Sequence, residues 1–118
     1  MNRVVVTGMG IVSSLGANCA EVLAALKSAK SGIKFDENQA KMGLRSQVSG
    51  AIAEVDCSEI IDRKMLRFMA DAAIYNAVAL DEAIKQSGLT AEQISNPRTG
   101  LIMGSGGASN QNVVEAAD

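Results

Sequence analysis

Apolar and polar positions fall in blocks whose period changes along the chain. Residues Arg3–Thr7 (RVVVT) form an unbroken β-branched run that stops at Gly8. A run without alternation predicts a strand buried on both faces of a parallel or mixed sheet. Asn18 and Glu21 then form a capping-box-like pair ahead of a helix over Cys19–Ala29, with Val22, Leu26 and Ala29 on one face and Leu23 beside them. Lys27 and Lys30 lie at its C-terminal end, where the macrodipole favours cations, and Gly32 is the expected C′ residue. Residues 33–46 read as loop. Gln47–Val55 (QVSGAIAEV) half-alternates and predicts a second strand.

The longest periodic block predicts a helix from near Asp62 to Ser87 with a break near Met69. Met69, Ala73, Ala77, Leu80 and Ile84 make its inner face, and Asp71, Tyr75, Glu82 and Gln86 its wetter side. Alanines at 72, 73, 77 and 83 allow another backbone to come close. Gly88 and Leu89 suit a Schellman ending. Thr90 and Gln93 restart a short turn that Pro97 ends. Arg98–Met103 (RTGLIM) predicts a third strand running into Gly104-Ser105-Gly106-Gly107, and 112–118 has helical composition. Strands alternating with helices give an α/β class.

Composition narrows the function. Eleven Lys+Arg against thirteen Asp+Glu leave a net charge of −2, and aromatics are only 3%, which argues against a nucleic-acid partner. No apolar run nears the ~20 residues that span a bilayer, and the opening is too brief for a signal-peptide core. A cytoplasmic protein is therefore expected, in keeping with two isolated cysteines, Cys19 and Cys57. The chain has no histidine. It cannot build a Ser-His-Asp or Cys-His device from its own residues, and two thiols do not complete a zinc site, so no metal is expected.

The glycine loops invite functional readings that their surroundings weaken. Gly8-x-Gly10 after a strand suggests a dinucleotide loop, but Ser13 replaces the third glycine and the helix starts late. Ser105 stands in a GSG, yet Met103 occupies the position a nucleophile elbow gives to glycine. The second loop better suits close approach of another subunit or a narrow ligand tunnel. Cys19 sits at a helix N-terminus, where a thiolate can be stabilised, but no basic partner is near it in sequence. Arg63, Lys64 and Arg67 share a helical face; charge alone fits a solvated face, or a docking patch for an acidic protein or a phosphate.

Taken in order, RVVVTGMGIVSSLG, KSAKSGI, LRSQVSGAI, IDRKMLRFM and NPRTGLIMGSGGAS closely resemble the N-terminal portion of bacterial β-ketoacyl-acyl carrier protein synthases, type I more than type II. The resemblance covers Met1–Asp118. It implies a partial thiolase-like fold: the opening elements of the first of two similar α/β halves, each a mixed sheet with packed helices. Residues 1–118 would be the N-terminal, incomplete part of the synthase N-terminal domain. The family elongates acyl chains by decarboxylative Claisen condensation, usually as a homodimer. A cysteine nucleophile and two histidines do the chemistry, and the resemblance places none of them in this chain. It implies no cofactor of the chain's own, because substrates ride on the phosphopantetheine of acyl carrier protein.

What the resemblance does transfer is binding. Arg63, Lys64 and Arg67, with Arg45 as a weaker candidate, match the basic patch that receives acyl carrier protein. Gly106, Gly107 and Ala108 match a loop that borders the acyl pocket and the dimer interface. The expected function is 3-oxoacyl-acyl carrier protein synthesis, with 1–118 inert alone. The alternatives are a non-catalytic module that docks an acidic carrier through the basic helix, and a nucleotide-binding domain using Gly8 and Gly10. A layered fold reduced to three strands and two principal helices leaves apolar faces uncovered. The chain by itself is therefore expected to self-associate, to misfold in part, or to belong to a longer protein.

Overall fold

The structure, a computed structural model, describes residues 3–107 and 109–117. Helix α1 (Cys19–Lys27) begins where Asn18 predicts it, the Asn18 side chain accepting the Glu21 N–H at 2.9 Å. Glu21 returns the bond one residue early, to Ala17 N at 2.9 Å, and also takes the Asn18 amide at 3.0 Å. The helix stops short of the predicted Ala29. Ala29 turns left-handed (φ 53°). Its N–H and that of Lys30 bond back to Leu26 O (3.2 Å) and Ala25 O (2.9 Å). This is a Schellman ending built on alanine, so Gly32 is not the C′ residue. The covered face also differs from the expected one. Val22 and Ala25 are buried, while Leu23 and Leu26 stay 52% and 62% exposed. The helix rests on the turn closed by the Ser13–Gly16 bridge, and Gly16 abuts Glu21 and the Val22 backbone.

Residues 33–46 are more ordered than their mixed pattern suggests. Strand β1 (Lys34–Phe35) pairs antiparallel with β2 (Val48–Ser49), in the register Lys34–Ser49 and Phe35–Val48. Helix α2 (Glu37–Lys41) follows directly. One residue holds the unit together. Asp36 Oδ1 accepts the N–H groups of Asn38 (3.0 Å) and Gln39 (3.1 Å), and Oδ2 accepts the Ser49 hydroxyl (2.9 Å).

The predicted 62–87 helix is two helices, α3 (Arg63–Leu66) and α4 (Asp71–Ser87), with the expected break between them. No glycine or proline makes it. Phe68 N and Met69 N bond to Met65 O (2.9 Å) and Leu66 O (3.2 Å), three residues back, which tightens and ends α3. Ala70 then extends (φ −77°, ψ 158°) before α4 starts. Gly88 ends α4 left-handed (φ 69°). Helix α5 (Ala91–Ile94) is the short turn expected at Thr90 and Gln93, and the two residues form a complete capping box. Helix α6 (Asn110–Ala117) starts at Ser109, whose hydroxyl accepts the Asn112 N–H at 3.3 Å.

Helix α4 is the element the N-terminal segment lies on, and its expected wet side makes part of that contact. Glu82 takes Ile11 N at 3.1 Å on one oxygen and Cys19 N at 2.8 Å on the other. Gln86 takes Met9 N at 2.6 Å. Between these bonds Gly8 sits on the Ala83 carbonyl and Gly10 on the Ala79 carbonyl, too close for any side chain at either position. Ala83 permits the approach expected of it. Gln86 stays exposed, as its place on the wetter side predicts, while Glu82 is half-buried and corrects that expectation.

Two predicted strands do not form among the described residues. Residues 3–7 and 98–103 have no hydrogen-bonded strand partner there, and of 47–55 only Val48–Ser49 pairs. A strand exists by pairing, and an apolar run alone does not supply a neighbour. Val4 and Val6 are 89% and 82% exposed and Ile102 is 99% exposed. Among the described residues the buried hydrophobic ones are Val22, Ala25 and Ile61. The radius of gyration is 17.4 Å, against ~13.5 Å for a compact domain of this length. The α/β class thus stands as helices with one small sheet. No helix among the described residues is long and apolar enough to cross a membrane.

Asp36 makes a pH prediction. The Gln39 N–H first, then the Ser49 hydroxyl, hold its carboxyl below the usual carboxylate range, against partial desolvation. A lowered folded pKa adds stability that is present above the unfolded value of ~3.9 and is lost as pH falls through the folded one. The stability difference between the wild type and Asp36→Asn should therefore be flat above about pH 5 and shrink below about pH 4. Denaturant melts across that range check it; a difference that persists in acid rules it out.

Candidate functional site

The cationic residues begin at a buried anchor. Ile61 is 8% exposed, and its N–H bonds to Cys57 O at 2.9 Å. Asp62 follows and caps α3, its carboxylate accepting Lys64 N at 2.7 Å. Asp62, Arg63, Lys64 and Arg67 together line one surface cleft. Arg63, Lys64 and Arg67 are all exposed, and none is in an ion pair among the described residues. The structure therefore brings the three predicted cations together. Arg45 is exposed between α2 and β2 and is not part of the lining of that cleft.

A second cleft, of about 610 Å³, opens between the first turns of α4 and the glycine loop. Ala70, Ala73 and Asn76 line one side; Met103, Ser105 and Gly107 line the other. No heavy atom lies within 4 Å of where a Cβ on Gly107 would stand, so this position faces open space. Gly106 is equally open but is not part of the lining. Ala108, the third residue expected here, lies outside the described residues. The Ser105 hydroxyl is engaged with Gly107 O at 2.8 Å. The two clefts are neighbours. Arg67 lines the cationic one and Ala70 the other, so three residues of chain hold their Cα atoms within ~11 Å.

Neither cysteine resembles a nucleophile. Partial desolvation pushes the Cys19 thiol up, and Glu82 beside it adds to the shift. Its sulfur faces Met9 O at 3.6 Å. The helix N-terminus that could have stabilised a thiolate gives its Cys19 N–H to Glu82 instead. Cys57 is a half-buried free thiol. Among the described residues no group of three His, Cys, Asp or Glu side chains could hold a metal ion. The dinucleotide reading of Gly8 and Gly10 fails on geometry, because both glycines and the N–H groups of Met9 and Ile11 are committed to α4. Sequence reasoning gave Asp62 and Asn76 no role. For Asp62 the signal was legible, an aspartate directly ahead of a helix-forming run; for Asn76 there was none.

Comparison with known proteins gives a consistent result. Residues 1–118 match the family described as β-ketoacyl synthase, N-terminal domain. The chain is 50% identical over 118 residues to 3-oxoacyl-[acyl-carrier-protein] synthase 1 of Haemophilus influenzae, covering all of this chain and 29% of that protein. It is 48% identical to synthase 1 of Escherichia coli strain K12 over 119 residues, again 29% of that protein. Against synthase 2 of Coxiella burnetii identity is 30% over 104 residues, covering 88% of this chain and 25% of that one. The chain thus spans under a third of the length of these relatives. It belongs to the β-ketoacyl synthase N-terminal domain family, whose fold is a thiolase-like α/β one, and it is closer to the type 1 synthases named here than to the type 2 synthase.

Proposed function

We propose that the chain serves fatty acid synthesis as part of a 3-oxoacyl-acyl carrier protein synthase, supplying carrier docking and one wall of the acyl cavity. In the reaction, loss of CO2 from a malonyl group generates a carbanion. The carbanion attacks the thioester of an acyl-enzyme, forming a carbon–carbon bond and releasing the enzyme thiol. The product is 3-oxoacyl-acyl carrier protein. The observation that carries the reading is the adjacency of the two clefts at Arg67–Ala70. An acidic carrier held on the three cations would deliver its acyl chain next to the cavity that Gly107 lines. Long-range attraction between opposite patches raises encounter rate and sets orientation.

The same reading gives the apolar runs a use. Gly10 and residues 101–103 line a shared cleft with Ala79, Leu80 and Ala83, so the N-terminal segment and the 98–103 segment lie over one side of α4. We read them as strands of a mixed sheet layered on that helix, completed by further strands of the full fold. A homodimer in the cytoplasm, with the Gly106–Ala108 loop near the subunit interface, belongs to the same proposal.

The reaction needs a thiolate and proton-handling groups that these 118 residues do not offer: there is no histidine, and the Cys19 thiol is held neutral. The 118-residue chain alone should give no 3-oxoacyl product from acyl and malonyl carriers, and product above the buffer blank would refute this. In the full-length synthase, Arg63→Glu with Lys64→Glu should raise KM for acyl carrier protein on the order of tenfold at low salt, the gap narrowing as salt screens it. Unchanged low-salt kinetics would remove docking from this face. Gly107→Met places a side chain into open space without a clash and should shorten the longest acyl chain accepted, read from product lengths. An unaltered profile would take Gly107 out of the pocket.

A further inference from the structure

We propose that Asp62 is a positioning residue of the cationic rim: it holds Arg63, Lys64 and Arg67 on one side by starting the short helix that carries them. This deepens the docking reading above and rests on it.

Helix α3 is only four residues long, and its first two positions are Arg63 and Lys64. That is an unfavourable start. A single turn has almost no cooperative stability of its own, and cations at a helix N-terminus oppose the dipole. Asp62 answers both difficulties. Its carboxylate takes Lys64 N at 2.7 Å, and its carbonyl takes Met65 N at 2.8 Å and Leu66 N at 3.1 Å. The two carbonyl bonds belong to the backbone whatever residue stands at 62; the side chain adds a partner for the Lys64 N–H, one of the groups a helix start leaves without one. Asp62 is itself fixed from behind by buried Ile61. The order of dependence runs from Ile61, through the Asp62 cap, to the cations on the rim.

The cap has an electrostatic cost that makes it testable. Asp62 lines the same cleft as the three cations, so its negative charge opposes an acidic carrier while its oxygen keeps the helix wound. Asparagine caps about as well as aspartate but carries no charge, and alanine does neither. The two substitutions should therefore move binding in opposite directions. Loss of a cap shifts helix formation by about fivefold, and part of that reaches the docking affinity.

The experiment is titration of the full-length synthase with acyl carrier protein at low salt, using Asp62→Ala, Asp62→Asn and the Arg63→Glu/Lys64→Glu double variant. Asp62→Ala should weaken binding about threefold, and Asp62→Asn should bind as tightly as wild type or up to about twofold more tightly. If Asp62→Ala does not fold, Asp62→Gln replaces it: also neutral, but a poor cap, so it should bind about threefold more weakly than Asp62→Asn. Wild-type affinity in the uncapped variant, or equal weakening in both, overturns the positioning role alone. Should the double charge reversal leave affinity unchanged, the docking reading fails and this inference falls with it.

Discussion

Everything N-terminal to α1 depends on one helix supplying acceptors to a backbone that has few of its own. From Gly8 to Ile11 the chain passes over α4 without strand pairing, so the N–H groups of Met9 and Ile11, and that of Cys19 at the start of α1, take partners from elsewhere. Gln86 and Glu82 provide them at 2.6–3.1 Å. The bond from Cys19 N to Glu82 is the most sheltered of the three, and those to Met9 and Ile11 are exposed; a hydrogen bond gains strength as water is excluded from it. The Glu82 carboxylate also stands at the positive end of α1, where the helix dipole favours it. None of this is geometrically possible unless positions 8 and 10 lack side chains, since both press on α4 carbonyls. Glycine and carboxylate are therefore one device. The glycines bring the backbone near, and the acid holds it.

That device explains which parts of the fold were legible. Several local signals were read correctly, though the α1 ending at Ala29 in place of Gly32 was not. Asn18 with Glu21, Thr90 with Gln93 and the left-handed Gly88 each act within a few residues of themselves. The break near Met69 was also visible, although its cause, a tightening of the α3 end, left no mark such as proline or glycine. Signals that depend on a distant partner were misread. Glu82 fits a wet stripe by spacing, and nothing in a helical period separates a carboxylate that faces water from one that clamps a loop seventy residues away. Asp36 was missed because its cap serves a five-residue helix and a two-residue strand pair, both too short for a period to appear.

The strands show the same limit from the other side. RVVVT and RTGLIM are apolar runs without cover of their own; residues 101–103 line a cleft with α4, and the N-terminal segment meets that helix just beyond its run, at Gly8 and Gly10. What the pattern cannot supply is the neighbour. With Val4, Val6 and Ile102 more than four-fifths exposed, the two segments carry the demand for a sheet without its hydrogen bonds. The same separation holds at the site. The three cations were found because charge spacing is local, and Gly107 because the family motif marks it. Arg45 and Gly106 were grouped with them by the motif, but neither lines a cleft with its expected companions.

The break between α3 and α4 is what lets a charged rim and a largely apolar-lined cleft sit side by side. Were 62–87 one continuous helix, Arg63, Arg67 and Ala70 would recur at i, i+4 and i+7 on a single stripe. That stripe would continue into the small residues that line the second cleft, and two guanidinium groups would face its largely apolar lining. Burying them there without partners would cost several kcal/mol each. Ending α3 at Leu66 and extending Ala70 resets the phase of the helix within four residues. The cations then line one cleft and Ala70 and Ala73 another, with no residue shared between the two. On the function proposed above, a docking surface for an acidic partner and a receptacle for its apolar cargo would need opposite chemistry within ~11 Å, and the short non-helical link between α3 and α4 separates them.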